Sequence, residues 1–206
     1  IKSIFRSSIE VGLVNRPVRW MMLIAPVVSG VEIYIVYAAQ PFLLQLYGSE
    51  KAYGVAGLAA ALVAGSQIVG GLGVPLIRKY FSFRSSLITT VIIGNFAILL
   101  LLGWSHQFLL AMILLGFWGF LSAVLAPVRR AYLNKLIPSQ HRATVLSFDG
   151  LMGSAGGIIT QPVLGKVADT LGYSMSFIVA GVFQICALPF AYLVRREKSS
   201  ADIVEK

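Results

Sequence analysis

The sequence predicts an all-α membrane protein, a bundle of six transmembrane helices, and three observations predict it. Hydrophobic residues make up 57% of the chain and charged residues 12%. That is about half the charged fraction of a soluble domain, so lipid must absorb apolar surface that one core of this size cannot. Six apolar runs reach the roughly 20 residues that a helix needs to cross hydrocarbon. The short connections between them alternate between basic and nearly charge-free, as a chain crossing and recrossing a membrane distributes them.

Taken in order, residues 1–15 are too short and too polar to span. Ile1, Ile4, Phe5, Ile9 and Leu13 fall near one helical face with Lys2 and Arg6 elsewhere, which predicts an amphipathic linker helix on the cytoplasmic interface. A frayed linker is the alternative. Residues 16–194 form the bundle, with apolar runs at 19–47, 52–77, 85–104, 108–128, 143–167 and 174–194. Residues 195–206 read as a solvated cytoplasmic tail.

One set of connections carries Arg16 and Arg19; Arg78, Lys79 and Arg84; Arg129, Arg130, Lys135 and Arg142; Arg195, Arg196 and Lys198. The other holds Lys51 and Lys166. Lys and Arg accumulate on the cytoplasmic side, so both termini are expected there, in the cell membrane, as an even number of spans also requires. The net charge of +9 therefore reports topology, and no nucleic-acid partner is expected. Cys186 is the single cysteine, so neither a disulfide framework nor a cysteine metal cluster can form within the chain.

Embedded charge costs about 2.5 kcal/mol or more near the midplane, so each instance needs a reason. Glu32 lies near mid-depth of the first run and is followed by Tyr34, Tyr37 and Gln40. It reads as a protonatable or cation-binding group facing a water-filled cavity; a structural acid bonded to a tyrosine is the alternative. Asp149 lies about 7 residues past Arg142, roughly 10 Å into the fifth run. The helix macrodipole favours an acid in those early turns, and Arg129 or Arg130 is near enough to pair with it, as a structural bridge or a gate. Gln67, Asn95, Ser122, Thr160 and Gln161 are further polar side chains that could line a path or join helices. Trp118 could stack on a planar substrate or face lipid.

Small residues are patterned in two runs. Gly57, Ala61, Gly65, Val69 and Gly73 recur every fourth position. Ser147, Gly150, Ser154 and Gly157 form a second stripe, joined by Gly153 and Gly156. Both predict close helix packing. Pro162 removes a backbone donor and predicts a kink.

These features together resemble the C-terminal half of a major facilitator superfamily transporter. Arg130-Ala131-Tyr132-Leu133-Asn134-Lys135-Leu136-Ile137-Pro138, followed by Arg142 through Phe148, resembles the junction between the tenth and eleventh helices of many bacterial members. Gly165 through Gly172 repeats the G-x-x-x-D-x-x-G skeleton of the superfamily's loop motif without its basic residues and on the outer side. The cytoplasmic copy, Gly73 through Arg84, has Ile77 in place of the acid and Tyr80 in place of the second glycine. Gly157 through Gly165 loosely echoes the antiporter signature, with Gln161 replacing a glycine. The resemblance implies two inverted three-helix repeats and a substrate site at midplane, facing an N-terminal six-helix half outside this sequence. It also implies proton-coupled efflux of a small molecule by alternating access. No cofactor is implied; a proton or ion gradient supplies the drive. Glu32, Gln40 and Trp118 would line the cavity, because the first and fourth helices of each half do so in this family.

Other classes fit less well. A rhomboid-type protease needs G-x-S-G and an embedded histidine, but Gly153-Ser154-Ala155-Gly156 has its serine one place early and His106 and His141 lie in connections. An aspartyl intramembrane protease needs two embedded aspartates, and Asp149 alone qualifies. A self-contained six-span channel or small transporter acting as a homodimer is the rival reading. Because the chain starts at Ile1 rather than Met, an upstream segment is the expectation.

Overall fold

The computed structural model describes residues 14–49 and 51–204. The described residues are helical apart from turns and one isolated bridge. The helices are α1 (Arg16–Tyr47), α2 (Tyr53–Ile77), α3 (Arg84–Trp104), α4 (Phe108–Leu136), α5 (Ser139–Ile185) and α6 (Leu188–Arg196), with 3-10 turns at Arg78–Tyr80 and Ser200–Asp202. The linker helix expected over residues 1–15 lies outside the described residues except at Val14 and Asn15. Asn15 caps α1, its side-chain oxygen accepting from the Val18 N–H at 3.4 Å, with a proline in the first turn. Both residue types suit a helix start, where backbone donors have no intrahelical partner.

Among the described residues five helices, not six, are long and apolar enough to cross a membrane. The difference lies in the last of them, Ser139–Arg196, whose 58 residues would extend ~87 Å if straight, against a hydrocarbon core of about 30 Å. It contains both of the last two predicted runs. Within α5 only Gly172 leaves helical torsions, at φ 85° and ψ 165°, a region essentially reserved for glycine. Pro162, where the kink was expected, keeps helical torsions.

Contacts along α1 show that the chain reverses at Gly172. The first arm of α5 starts near Met21, through Arg129, which bonds both the Met21 carbonyl and Asp149. It then passes Ser29 and Gly30 at Gly153, Gly156 and Thr160. Its Leu164 joins the apolar cluster of Phe42 and Leu43. The second arm begins there, with Phe177 edge-on to Phe42 at 4.8 Å, and returns until Phe190 of α6 stacks on Trp20 at 6.5 Å. Two apolar clusters result. One surrounds Val18, Ile88, Tyr132 and Val194, the other Tyr34, Leu99, Trp118 and Phe177.

Two expectations are corrected here. Gly57 and Gly65 face open space, with nothing within 4 Å of a would-be Cβ. Helix α2 meets α4 mainly by another side, where Gly70 abuts the Phe120 carbonyl and Gly119 the Ser66 hydroxyl, and of the glycines in the predicted stripe only Gly73 reaches α4, its would-be Cβ 3.8 Å from the Phe120 ring. The tail, in turn, is solvated only in part: Arg195, Arg196 and Lys198 are exposed. Ala201, Asp202 and Val204 are buried. Phe83, the residue before α3, has no side-chain acceptor for the helix's free N–H groups, and Asp202 supplies one. Its carboxylate accepts from the Ser85 N–H at 2.7 Å and the Ser85 hydroxyl at 2.6 Å. Arg84 donates to the Ala201 carbonyl, and the Val204 N–H to the Ser82 carbonyl at 3.0 Å. Asp202→Ala is therefore expected to destabilise the protein by about 1–2 kcal/mol through the lost cap, read as a lower Tm in detergent. An unchanged Tm would return the tail to solvent.

Candidate functional site

Helix α4 continues past Val128, where hydropathy ends, and the extra turns carry Arg129 and Arg130 to the basic end of the bundle. Arg129 is 7% exposed. Its Nη2 donates to Asp149 Oδ1 at 2.7 Å and to the Met21 carbonyl at 3.1 Å, so one guanidinium ties α1, α4 and α5 together. Arg130, the other candidate partner, is exposed.

Beside this pair opens a hollow of about 360 Å³ lined by Glu32 of α1, Arg129 and Arg130 of α4, and Asp149, Gly153 and Ser154 of α5. Two further hollows adjoin it, and Ile33 lines all three. One, of about 320 Å³, runs along α1 past Glu32 to Val36 and Tyr37. The other, of about 380 Å³, runs along α5 past Ser154 to Gln161 and Pro162. A fourth, of about 170 Å³, places Gln40 across from Gln67 of α2. The result is an outward-facing wall with two acids and two bases at one end and uncharged polar groups along it. Glu32 makes no hydrogen bond or ion pair among the described residues, so its carboxylate is available to the hollow. Tyr37, 71% exposed, stands on the same face.

The remaining candidates turn inward. Tyr34 is buried and donates to the Ser176 hydroxyl at 2.5 Å. Asn95 is buried against Ser122. Trp118, read from the sequence as a cavity residue, is 1% exposed within the apolar interior. Thr160 is buried and donates back to the Gly156 carbonyl at 2.8 Å, a bond that an embedded hydroxyl commonly makes to its own helix.

What sequence reasoning missed is the α1 side of the crossing that holds this wall; Gly153 and Gly156 on α5 were expected to pack closely, and they do, against Ser29 and Pro26. A Cβ on Gly156 would lie 2.5 Å from the Pro26 carbonyl carbon, and one on Gly30 would lie 2.5 Å from Thr160 Oγ1. Gly157, singled out beside Gly156, meets only the flexible tip of Ile33. The signal available was Pro26 followed by the small pair Ser29-Gly30. No three of His, Cys, Asp and Glu gather in a metal-binding group among the described residues.

Comparison with known proteins agrees with this architecture. An uncharacterized MFS-type transporter, YxaM of Bacillus subtilis (strain 168), is 27% identical over 74 residues, which is 36% of this chain and 18% of the relative. The chain thus matches under a fifth of that protein's length. The family model of the Major Facilitator Superfamily matches residues 21–206. A match over nearly the whole chain, on an all-helical bundle with membrane-length apolar helices, establishes that the chain belongs to the major facilitator superfamily, a family of multi-pass membrane proteins.

Proposed function

We propose that this chain is the C-terminal half of a secondary active transporter that moves a small solute by alternating access, with proton-coupled efflux as its mode. The observation that carries this reading is the charged wall. Glu32 lies in an open hollow beside a buried arginine and an acid, on a face that the bundle leaves uncovered. An embedded carboxyl without an internal partner is expensive unless it faces water or a ligand, and in membranes such groups mark proton or substrate paths. An opposing half-bundle would close the hollows into a cavity near midplane, as inverted-repeat transporters do.

The reversal at Gly172 supports counting the last membrane-length segment as two crossings, six in all, as two inverted three-helix repeats. The Lys and Arg distribution supports cytoplasmic termini and a cell-membrane location. The chemistry is transport rather than catalysis.

The test is Glu32→Gln in the full transporter reconstituted into proteoliposomes. Glutamine keeps the shape and cannot cycle a proton. Transport driven by an imposed pH gradient is expected to fall at least ~10-fold, equivalent to about 1.4 kcal/mol or more, while solute exchange without a gradient persists. Unchanged pH dependence would remove Glu32 from coupling.

A further inference from the structure

The two apolar clusters of the bundle are separated on three helices by an interval that holds a buried polar side chain. On α3 it falls between Ile92 and Leu99, on α4 between Trp118 and Val124, and on the returning arm between Ala180 and Ala187. Each interval contains one buried polar side chain: Asn95, Ser122 and Gln184, which are 1%, 7% and 2% exposed. Asn95 Nδ2 donates to Ser122 Oγ at 3.2 Å, joining α3 to α4. The returning arm runs antiparallel to α3, with Gly103 against Ser174 and Ile178, and Gly181 against Phe96 and Leu99. Continuing that register one turn brings Gln184 level with Asn95.

Asn95 Oδ1 and Gln184 Oε1 are both buried without a donor among the described residues. Buried acceptors are nearly always satisfied, and each of these two still needs a proton donor. Each amide oxygen can only accept, and Ser122 Oγ, which already accepts from Asn95, still has its own proton to give. One water molecule matches this inventory: it donates twice, accepts once from Ser122, and so makes the three bonds usual for an interior water. A hard metal cation fits poorly, since the layer holds no carboxylate and fewer than the about six oxygens such ions gather.

We propose that Asn95, Ser122 and Gln184 form a binding site for a single buried water, which completes a polar layer through the middle of the bundle and keys α3 and the returning arm to α4. This site is separate from the Glu32 wall and does not depend on the transport reading.

The direct test is a structure of the full protein at about 2 Å. The expected result is a solvent peak within hydrogen-bonding distance, about 2.7–3.2 Å, of both amide oxygens. A direct Asn95–Gln184 amide contact, or a dry gap between them, would overturn the proposal. The second test is a cycle of Asn95→Leu, Gln184→Met and the double variant, read by Tm in detergent. Each single change leaves the other acceptor without its water and is expected to lower Tm by roughly 3–8 °C. The double variant removes both acceptors and is expected to lose clearly less than the sum. Strict additivity would show that the two side chains share nothing.

Discussion

Gly156→Val is expected to lower the Tm of the protein more than any other single glycine substitution in the bundle. A Cβ at this position would lie 2.5 Å from the carbonyl carbon and 2.6 Å from the Cα of Pro26, and would also run into the Pro26 carbonyl oxygen. All three atoms are helix backbone, which cannot rotate away as a side chain can. Relief therefore requires α1 and α5 to separate by roughly 1 Å, which forfeits a large part of the dispersion along the crossing. The neighbouring close contacts of Gly30 with Thr160 and Gly153 with Ser29 open with it. Overpacking of this kind costs about 1–3 kcal/mol where side chains can yield, and here none can, so the upper end or beyond is expected. Gly165→Ala, on the same arm but with nothing within 4 Å, is the control. Alanine has the better helix propensity, so its Tm should hold or rise slightly. Equal behaviour of the two variants in a thermal melt would refute the crossing.

The second large effect is expected at Arg129. Arg129→Met removes the shared donor to Asp149 and Met21 and leaves the Asp149 carboxylate, 12% exposed, without its partner. Stranding one member of a buried ion pair costs about 3–5 kcal/mol, most of it the penalty on the remaining charge. The diagnostic comparison is Arg129→Met with Asp149→Leu added. Two apolar residues strand no charge, so the double variant should recover much of the lost stability. If it melts no higher than Arg129→Met alone, the cost lies in the Met21 contact and not in the orphaned acid.

Much of the bundle was legible because lipid imposes its constraint on each helix separately. A crossing needs its own apolar run, so the helices could be read from hydropathy and the family from the residues at their ends. The run count came out one higher than the number of membrane-length helices because backbone torsions stay helical up to Gly172 and resume directly after it, whereas hydropathy dips across Lys166 and Asp169. The tail was misread for a related reason. Residues 195–200 are polar or charged, and polarity alone says solvent, but Asp202 just beyond them is held by the Ser85 N–H and hydroxyl, more than a hundred residues away in sequence.

The site shows the same division. Composition and spacing alone determined the helical class and the long apolar segments, and placed Glu32 and Asp149 inside two of them. They also named both Arg129 and Arg130 as partners for the acid. Only the tertiary structure selected Arg129, turned Tyr34, Asn95 and Trp118 inward, left Gly57 and Gly65 open, and put the close crossing at Gly30 and Gly156. A soluble helix advertises its buried face by a stripe of apolar residues, but a membrane helix is apolar all round. A residue's place along the apolar run therefore says how far from its ends it lies and not which way it points, and direction is decided by which neighbour's backbone comes close.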